Sequence, residues 1–294
     1  MIKRALLYSL LFVAVYSTAI TLLGPKDQVV QHQWQSNLIK AQNFIYNKEA
    51  DTIENVIIGT SLSCRLVMDS LKNYYNLAFS GQSIFDGLNI LSHRKKLPRN
   101  VFIETNIVFK KEDKDFTSSL TNPILYNTRL YMPSLREGKQ PLGIIGEKFA
   151  YVVGGIISRL KPNAPAKDGA DGEMSSRQNQ LFSKILKQEI ENYSRQPEQK
   201  LVNESFACLE AYLEPLRKEG VHIIFFEMPV NYNLCSLRES VAVRENFYKN
   251  FPEKEYGYIS QPDCTNYKTT DGLHLNNQEA ITYTTYFREA AKHF

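Results

Sequence analysis

Four short stretches of this 294-residue chain carry residue types and spacings suited to nucleophilic catalysis. The most specific is Thr270-Asp271-Gly272-Leu273-His274-Leu275-Asn276. An Asp and a His three residues apart in a turn can pair, carboxylate to Nδ1–H. That fixes the imidazole tautomer and leaves Nε2 as a base. The plain alternative is a helix cap beside a surface His. The second stretch, Gly59-Thr60-Ser61-Leu62-Ser63, follows an apolar run. A Ser61 hydroxyl there sits at the carboxyl edge of a strand, where open α/β sheets bind ligands. A helix N-terminus behind it would favour developing negative charge. The alternative for Ser61 is an ordinary N-cap, a role that Ser63 can also fill. In the third stretch, residues 76–83, Gly81 lets a backbone N–H approach a ligand. In the fourth, Glu104-Thr105-Asn106, the Asn106 amide is a donor toward the same crevice. A plain strand-to-helix turn and a turn Asn are the competing readings of these two.

These residues need strands that end beside one another. Val56-Ile57-Ile58, residues 74–79, Val101-Phe102-Ile103, residues 221–226 and residues 256–259 read as short strands. Helical spacing covers residues 61–72, 84–96, 178–193, 202–218 and 279–292, with Gly220 closing the fourth. The alternation predicts an α/β protein whose parallel sheet is covered by helices on both faces. Residues 110–172 read as an irregular insert with Pro123, Pro133, Pro141, Pro162 and Pro165, an apolar run at 149–158 and an exposed tip at 167–172.

The net charge is +4, close to neutral for this length, which excludes a strongly basic nucleic-acid binder. A hydrophobic share of 43% supports a sizeable core. The five His show no metal-ligand spacing, so no metal or other cofactor is expected. His222 lies in an apolar strand and reads as structural. Cys64 and Cys208 read as small apolar residues on buried helix faces. A thiol enzyme using Cys64 is the rival to Ser61, but it leaves the Gly-Thr-Ser turn without a purpose.

At the N-terminus, Lys3 and Arg4 precede Ala5 to Leu23, 19 residues without a charge. A helix of that length spans about 28 Å, close to a bilayer's hydrocarbon core. The run is longer than a signal peptide's apolar region. Residues 1–25 therefore read as a transmembrane anchor with a cytoplasmic N-terminus, 26–50 as a helical stalk, and 51–294 as an extracytoplasmic domain. In that oxidising setting Cys235 and Cys264, both in the loop-rich stretch before Asp271, are expected to form a disulfide, with two free buried thiols as the alternative.

In their order Ser61, Gly81, Asn106, Asp271 and His274, the four stretches resemble the SGNH (GDSL-like) hydrolase superfamily. The first block has Thr60 where that superfamily usually has Asp, and the third reads Glu104-Thr105-Asn106-Ile107 where it usually reads Gly-x-Asn-Asp. The resemblance implies a three-layer flavodoxin-like parallel sheet. It also implies a Ser61–His274–Asp271 triad, with an oxyanion hole formed by the N–H groups of Ser61 and Gly81 and the Asn106 amide. The Gly-Thr-Ser block behind one anchor is similar to the branch holding alginate O-acetyltransferase-type and teichoic-acid D-alanylation proteins. The expectation is serine-dependent O-acyl transfer to or from an envelope or exported glycan, with a membrane-bound O-acyltransferase as acyl donor. The alternatives are a lipase or esterase, and a non-catalytic anchored scaffold.

Overall fold

Strands and helices follow one another in the order α1 (Ile2–Leu23), α2 (Trp34–Tyr46), β1 (Asn55–Ile58), β2 (Tyr74–Asn76), α3 (Ile84–Ser92), β3 (Asn100–Glu104), α4 (Lys114–Thr121), α5 (Pro123–Tyr131), α6 (Ser176–Tyr193), α7 (Gln199–Lys218), β4 (His222–Phe226), α8 (Arg238–Asn250), β5 (Gly257–Tyr258) and α9 (Asn277–Ala291). The computed structural model describes residues 1–23, 33–47, 51–140 and 176–294. Residues 24–32 and 48–50 of the expected anchor end and stalk lie outside that set. So do residues 141–172 of the expected insert, with its apolar run and tip. The chain divides into two units, Met1–Tyr46 with Ser118–Glu173, and Asn47–Thr117 with Met174–Phe294.

The second unit holds a five-stranded sheet, all parallel, in the order β2-β1-β3-β4-β5. Side chains alternate between its faces with a period of two. Ile57, Phe102, Ile224 and Phe226 point to one face and join a core with Tyr283 and Phe287 of α9. Phe287 packs on Phe102 and Phe226 with ring centroids 5.4 and 5.0 Å apart. On the other face Phe225 meets Phe247 of α8, which also meets Phe206 of α7. Gly87 of α3 lies so close to Ile58 that an added Cβ would be 3.0 Å from its Cγ2. Burial on both faces explains why the middle of β3, Val101-Phe102-Ile103, is an unbroken apolar run rather than alternating.

In the first unit α1 is long and apolar enough to cross a membrane, with a mean hydropathy of 2.0 over its most apolar window. Only Ile20 of it is buried. Ser17 Oγ and Ser134 Oγ lie 2.8 Å apart, and the Tyr16 hydroxyl donates to the carbonyl of Lys139. The Gln42 side chain of α2 accepts from the Glu137 N–H at 2.8 Å, and the Arg136 guanidinium sits 4.7 Å over the Tyr46 ring.

Several expected details differ. Residues 61–72 do not form an α-helix but two 3₁₀ turns, Ser63–Arg65 and Met68–Ser70. One helical bond forms, from the Cys64 N–H to the Thr60 carbonyl, but the N–H groups of Arg65 and Leu66 turn back to carbonyls three residues earlier and that of Val67 goes to the Thr284 hydroxyl, so the helical ladder is not continued. The insert is not irregular throughout. Asp113 receives the N–H groups of Asp115 and Phe116 at the start of α4. Asn122 receives those of Ile124 and Leu125 at the start of α5, where Pro123 occupies the first helical position. Cys208 is exposed rather than on a buried face. His222 is exposed at the first position of β4, between the buried Val221 and Ile223.

Phe102 is fully buried against Tyr74 and Phe287. Phe102→Ala is expected to cost about 3–5 kcal/mol through lost burial and a residual cavity. Urea unfolding checks it: the midpoint should fall with little change in slope.

Candidate active site

The carboxyl ends of β1 and β3 lie side by side where the chain's strand order reverses, and the loops leaving them carry the candidate residues. The β1 loop turns sharply. Gly59 is required there, because an added Cβ would run into Ser63 Oγ and come 2.7 Å from Glu104 Oε2. Glu104, the last residue of β3, is fully buried and gathers this loop around its carboxylate. Oε2 accepts the Thr60 N–H at 2.9 Å, the Ser63 N–H at 3.1 Å and the Ser63 hydroxyl. Oε1 accepts the Thr60 hydroxyl at 2.7 Å. Burial pushes the Glu104 pKa up, and the four donated hydrogen bonds pull against that rise. Ser61 is left between the two clamped residues, with its side chain facing the crevice.

The Asp–His turn comes from the other end of the chain. Thr269 bridges Leu275 in antiparallel fashion, and Thr270 N–H donates to the His274 carbonyl at 2.8 Å. Gly272 takes a φ of +101°, which a side chain would disfavour. Asn276 then caps α9 by accepting the Glu279 N–H at 2.9 Å. Asp271 Oδ1 accepts the N–H groups of Leu273 and His274 at 3.0 and 2.8 Å. Asp271 Oδ2 lies 2.7 Å from His274 Nδ1, and His274 Nε2 lies 2.8 Å from Ser61 Oγ. The burial of Asp271 raises its pKa, but the hydrogen bonds from the His274 ring and the two N–H groups outweigh it and bring the value down to about 2. An ionised carboxylate only accepts, so Nδ1 carries the ring proton and Nε2 accepts from the Ser61 hydroxyl. The three side chains form a continuous relay from carboxylate to hydroxyl.

Gly81 has a φ of +73°, and neither its N–H nor that of Ser61 has a hydrogen-bond partner among the described residues. Asn106 does something that its sequence context did not suggest. Its Oδ1 accepts the Met228 N–H and its Nδ2 donates to the Met228 carbonyl, both at 2.8 Å. The amide thus latches the end of β3 to the segment after β4, with one Nδ2 hydrogen left over. Two acidic residues with no role in the sequence reading prove central. One is Glu104; the other is Asp86, buried at the start of α3. Asp86 Oδ2 accepts the Ser83 N–H and hydroxyl at 2.7 Å, and Oδ1 accepts the Asp113 N–H at 2.8 Å, tying the Gly81 loop to the chain after β3. The signals were present: Glu104 directly follows the apolar run Val101-Phe102-Ile103, and Asp86 stands three residues after Ser83 in a capping-box pattern.

Cys235 and Cys264 are joined by a disulfide, with Cα atoms 6.6 Å apart. Cys235 ends a short helix, Tyr232–Cys235, whose cap residue Asn231 donates its N–H to the Gly272 carbonyl at 2.8 Å, so the bridge braces the Asp–His turn. Cys64 Sγ lies 3.3 Å from the Ala78 carbonyl. No group of three or more potential metal ligands occurs among the described residues. No protein-family model matches the chain, and no curated protein matches it.

Two outcomes follow from the carboxylates. Glu104→Ala would leave two hydroxyls and two N–H groups buried without their acceptor, at a cost of roughly 1–3 kcal/mol each before relaxation. Calorimetry should show it destabilised by at least about 3 kcal/mol. A carboxyl whose pKa is lowered on folding stabilises the fold above its ordinary value of 3.8, and loses that contribution as pH falls through about 2. The melting-temperature gap between wild type and Asp271→Asn should therefore hold between roughly pH 4 and 5 and shrink toward pH 2.

Proposed function

We propose that the protein is a serine-dependent acyl-ester enzyme of SGNH (GDSL-like) type, and that it transfers O-acyl groups to or from an extracytoplasmic glycan through an acyl-Ser61 intermediate. The observation that carries the reading is the relay from Asp271 through His274 to Ser61. Its setting supports it: the strand order 2-1-3-4-5 is that of a flavodoxin-like sheet, and the relay stands at the carboxyl edge where that order reverses.

Ser61 Oγ attacks the carbonyl carbon of the ester while His274 Nε2 takes its proton. Asp271 keeps the ring in the right tautomer and stabilises the imidazolium that forms. The N–H groups of Ser61 and Gly81, with the remaining Nδ2 hydrogen of Asn106, donate to the oxyanion. One such donor is worth roughly 2.7–4 kcal/mol. Collapse of the tetrahedral intermediate breaks the bond to the leaving alcohol, which receives the proton from His274. An acceptor hydroxyl then attacks the acyl-serine, giving its proton to Nε2, and Ser61 is released with that proton.

α1 and the disulfide support a membrane-anchored, extracytoplasmic location. An apolar helix behind Lys3 and Arg4 reads as an anchor with its N-terminus in the cytoplasm, and a disulfide suits an oxidising compartment on the other side. An anchored enzyme stays near the bilayer, within reach of an exported polymer and of a membrane-bound O-acyltransferase as donor. Hydrolysis by the same relay, with water as the acceptor, is the second reading.

A fluorophosphonate should label the protein at Ser61. Ser61→Ala is expected to lose that labelling, and turnover of an activated acetyl ester should fall by roughly 10³-fold or more. Far-UV circular dichroism should be unchanged. Normal labelling in Ser61→Ala would reject the assignment. Mass spectrometry of products formed with oligosaccharides present separates the two readings: acetylated sugar supports transfer, and acetate alone supports hydrolysis.

A further inference from the structure

The exposed apolar side chains among the described residues are concentrated in α1, but a second group lies on α5 and the turn after it. Ile124 is 76% exposed and Tyr131 79%. They are seven residues apart, two helical turns, so they share a face. Leu125, Leu130 and Leu135 are exposed beside them. From Pro123 to Leu135 the only charge is Arg129, and its guanidinium is occupied with the carbonyl of Ser119 at 2.5 Å.

This group is tied to α1. The turn that follows α5 meets α1 through Ser134 on Ser17 and the Lys139 carbonyl on Tyr16. Those contacts are made six and seven residues before the end of α1. From Ala5 to Val15 the helix is bare on every side, a length of only about 16 Å. A hydrocarbon core is about 30 Å thick. The helix can cross it only if its last turns, with residues 134–139 attached, also approach membrane depth. The attachment therefore draws α5 down to the headgroup layer. There an apolar face that carries an exposed Tyr is what a helix presents to the lipid surface.

We infer that α5 and the turn through Leu135 form a membrane-interface anchor, seated in the lipid surface beside α1 with Ile124 and Tyr131 directed into the acyl-chain boundary. The inference rests on reading α1 as a membrane span. Such a second contact would hold the first unit against the bilayer rather than leave it swinging on a single helix.

The chain has one tryptophan, Trp34, so a Trp34→Phe background allows a reporter to be placed at will. The full-length protein is reconstituted in phosphatidylcholine–phosphatidylglycerol vesicles whose acyl chains are brominated either near the headgroup or near the terminus. Tryptophan fluorescence is then read for Leu10→Trp and for Ile124→Trp. Leu10→Trp should be quenched by the deep bromines, and Ile124→Trp by the shallow ones, each by roughly twofold or more. Tyr131→Trp repeats the second measurement should Ile124→Trp fold poorly. Quenching of Leu10→Trp with none at positions 124 and 131 would overturn the interface anchor, leave the span intact, and point to a protein partner for α5. Absence of quenching at all three positions would overturn both.

Discussion

The Glu104 carboxylate is the constraint on which the site depends. It sits at the end of a fully buried strand, with no ion-pair partner among the described residues, and four donors from the β1 loop converge on it. A buried carboxylate is costly unless its lone pairs are filled. Here the filling groups are the backbone and hydroxyls of Thr60 and Ser63, so the residue that needs partners fixes the residues on either side of Ser61. Between them Ser61 is held in a turn, and its N–H has no partner among the described residues. The close approach also dictates Gly59, since no Cβ fits between the loop and the carboxylate.

The same device recurs around the crevice with different chemistry. Asp86 collects donors from the Gly81 loop and from the chain after β3. Asn76 donates to the Ser63 carbonyl while accepting from Ala78. Asn106 clasps both backbone groups of Met228. Each short polar side chain satisfies backbone groups that a strand end would otherwise leave buried and unpaired. The carboxyl edge of the sheet is thus a network of side chain to backbone bonds, which holds loops rigid without regular secondary structure.

Asp271 differs from the two buried carboxyls in the sign of its electrostatics. Glu104 and Asp86 are pushed toward their neutral forms by burial, whereas Asp271 is half-exposed and drawn toward its ionised form by three donors. That contrast separates a carboxyl that shapes a loop from one that orients an imidazole. The Asp–His turn is in turn held from behind by Asn231 and the Cys235–Cys264 bridge. The groups that position His274 come from chain segments far from those that position Ser61.

The sequence by itself determined the parallel α/β sheet, because buried strands must be short apolar runs and helices must repeat at three to four residues. It also determined the Asp271–His274 pairing, since three residues in a turn bring those two side chains together. The meeting of His274 with Ser61, 213 positions apart, was a matter of tertiary structure. So was the fate of residues 61–72, whose helical spacing gave way to two 3₁₀ turns, because local propensity is worth only tenths of a kcal/mol per residue and the Val67 N–H is claimed by Thr284 of α9. Asn106 was legible as a polar residue at a strand end, but its commitment to Met228 required knowing that β4 lies beside β3. Within the expected insert α5 was hidden by Pro123, which reads as a breaker in sequence and serves as a helix start once Asn122 supplies the cap.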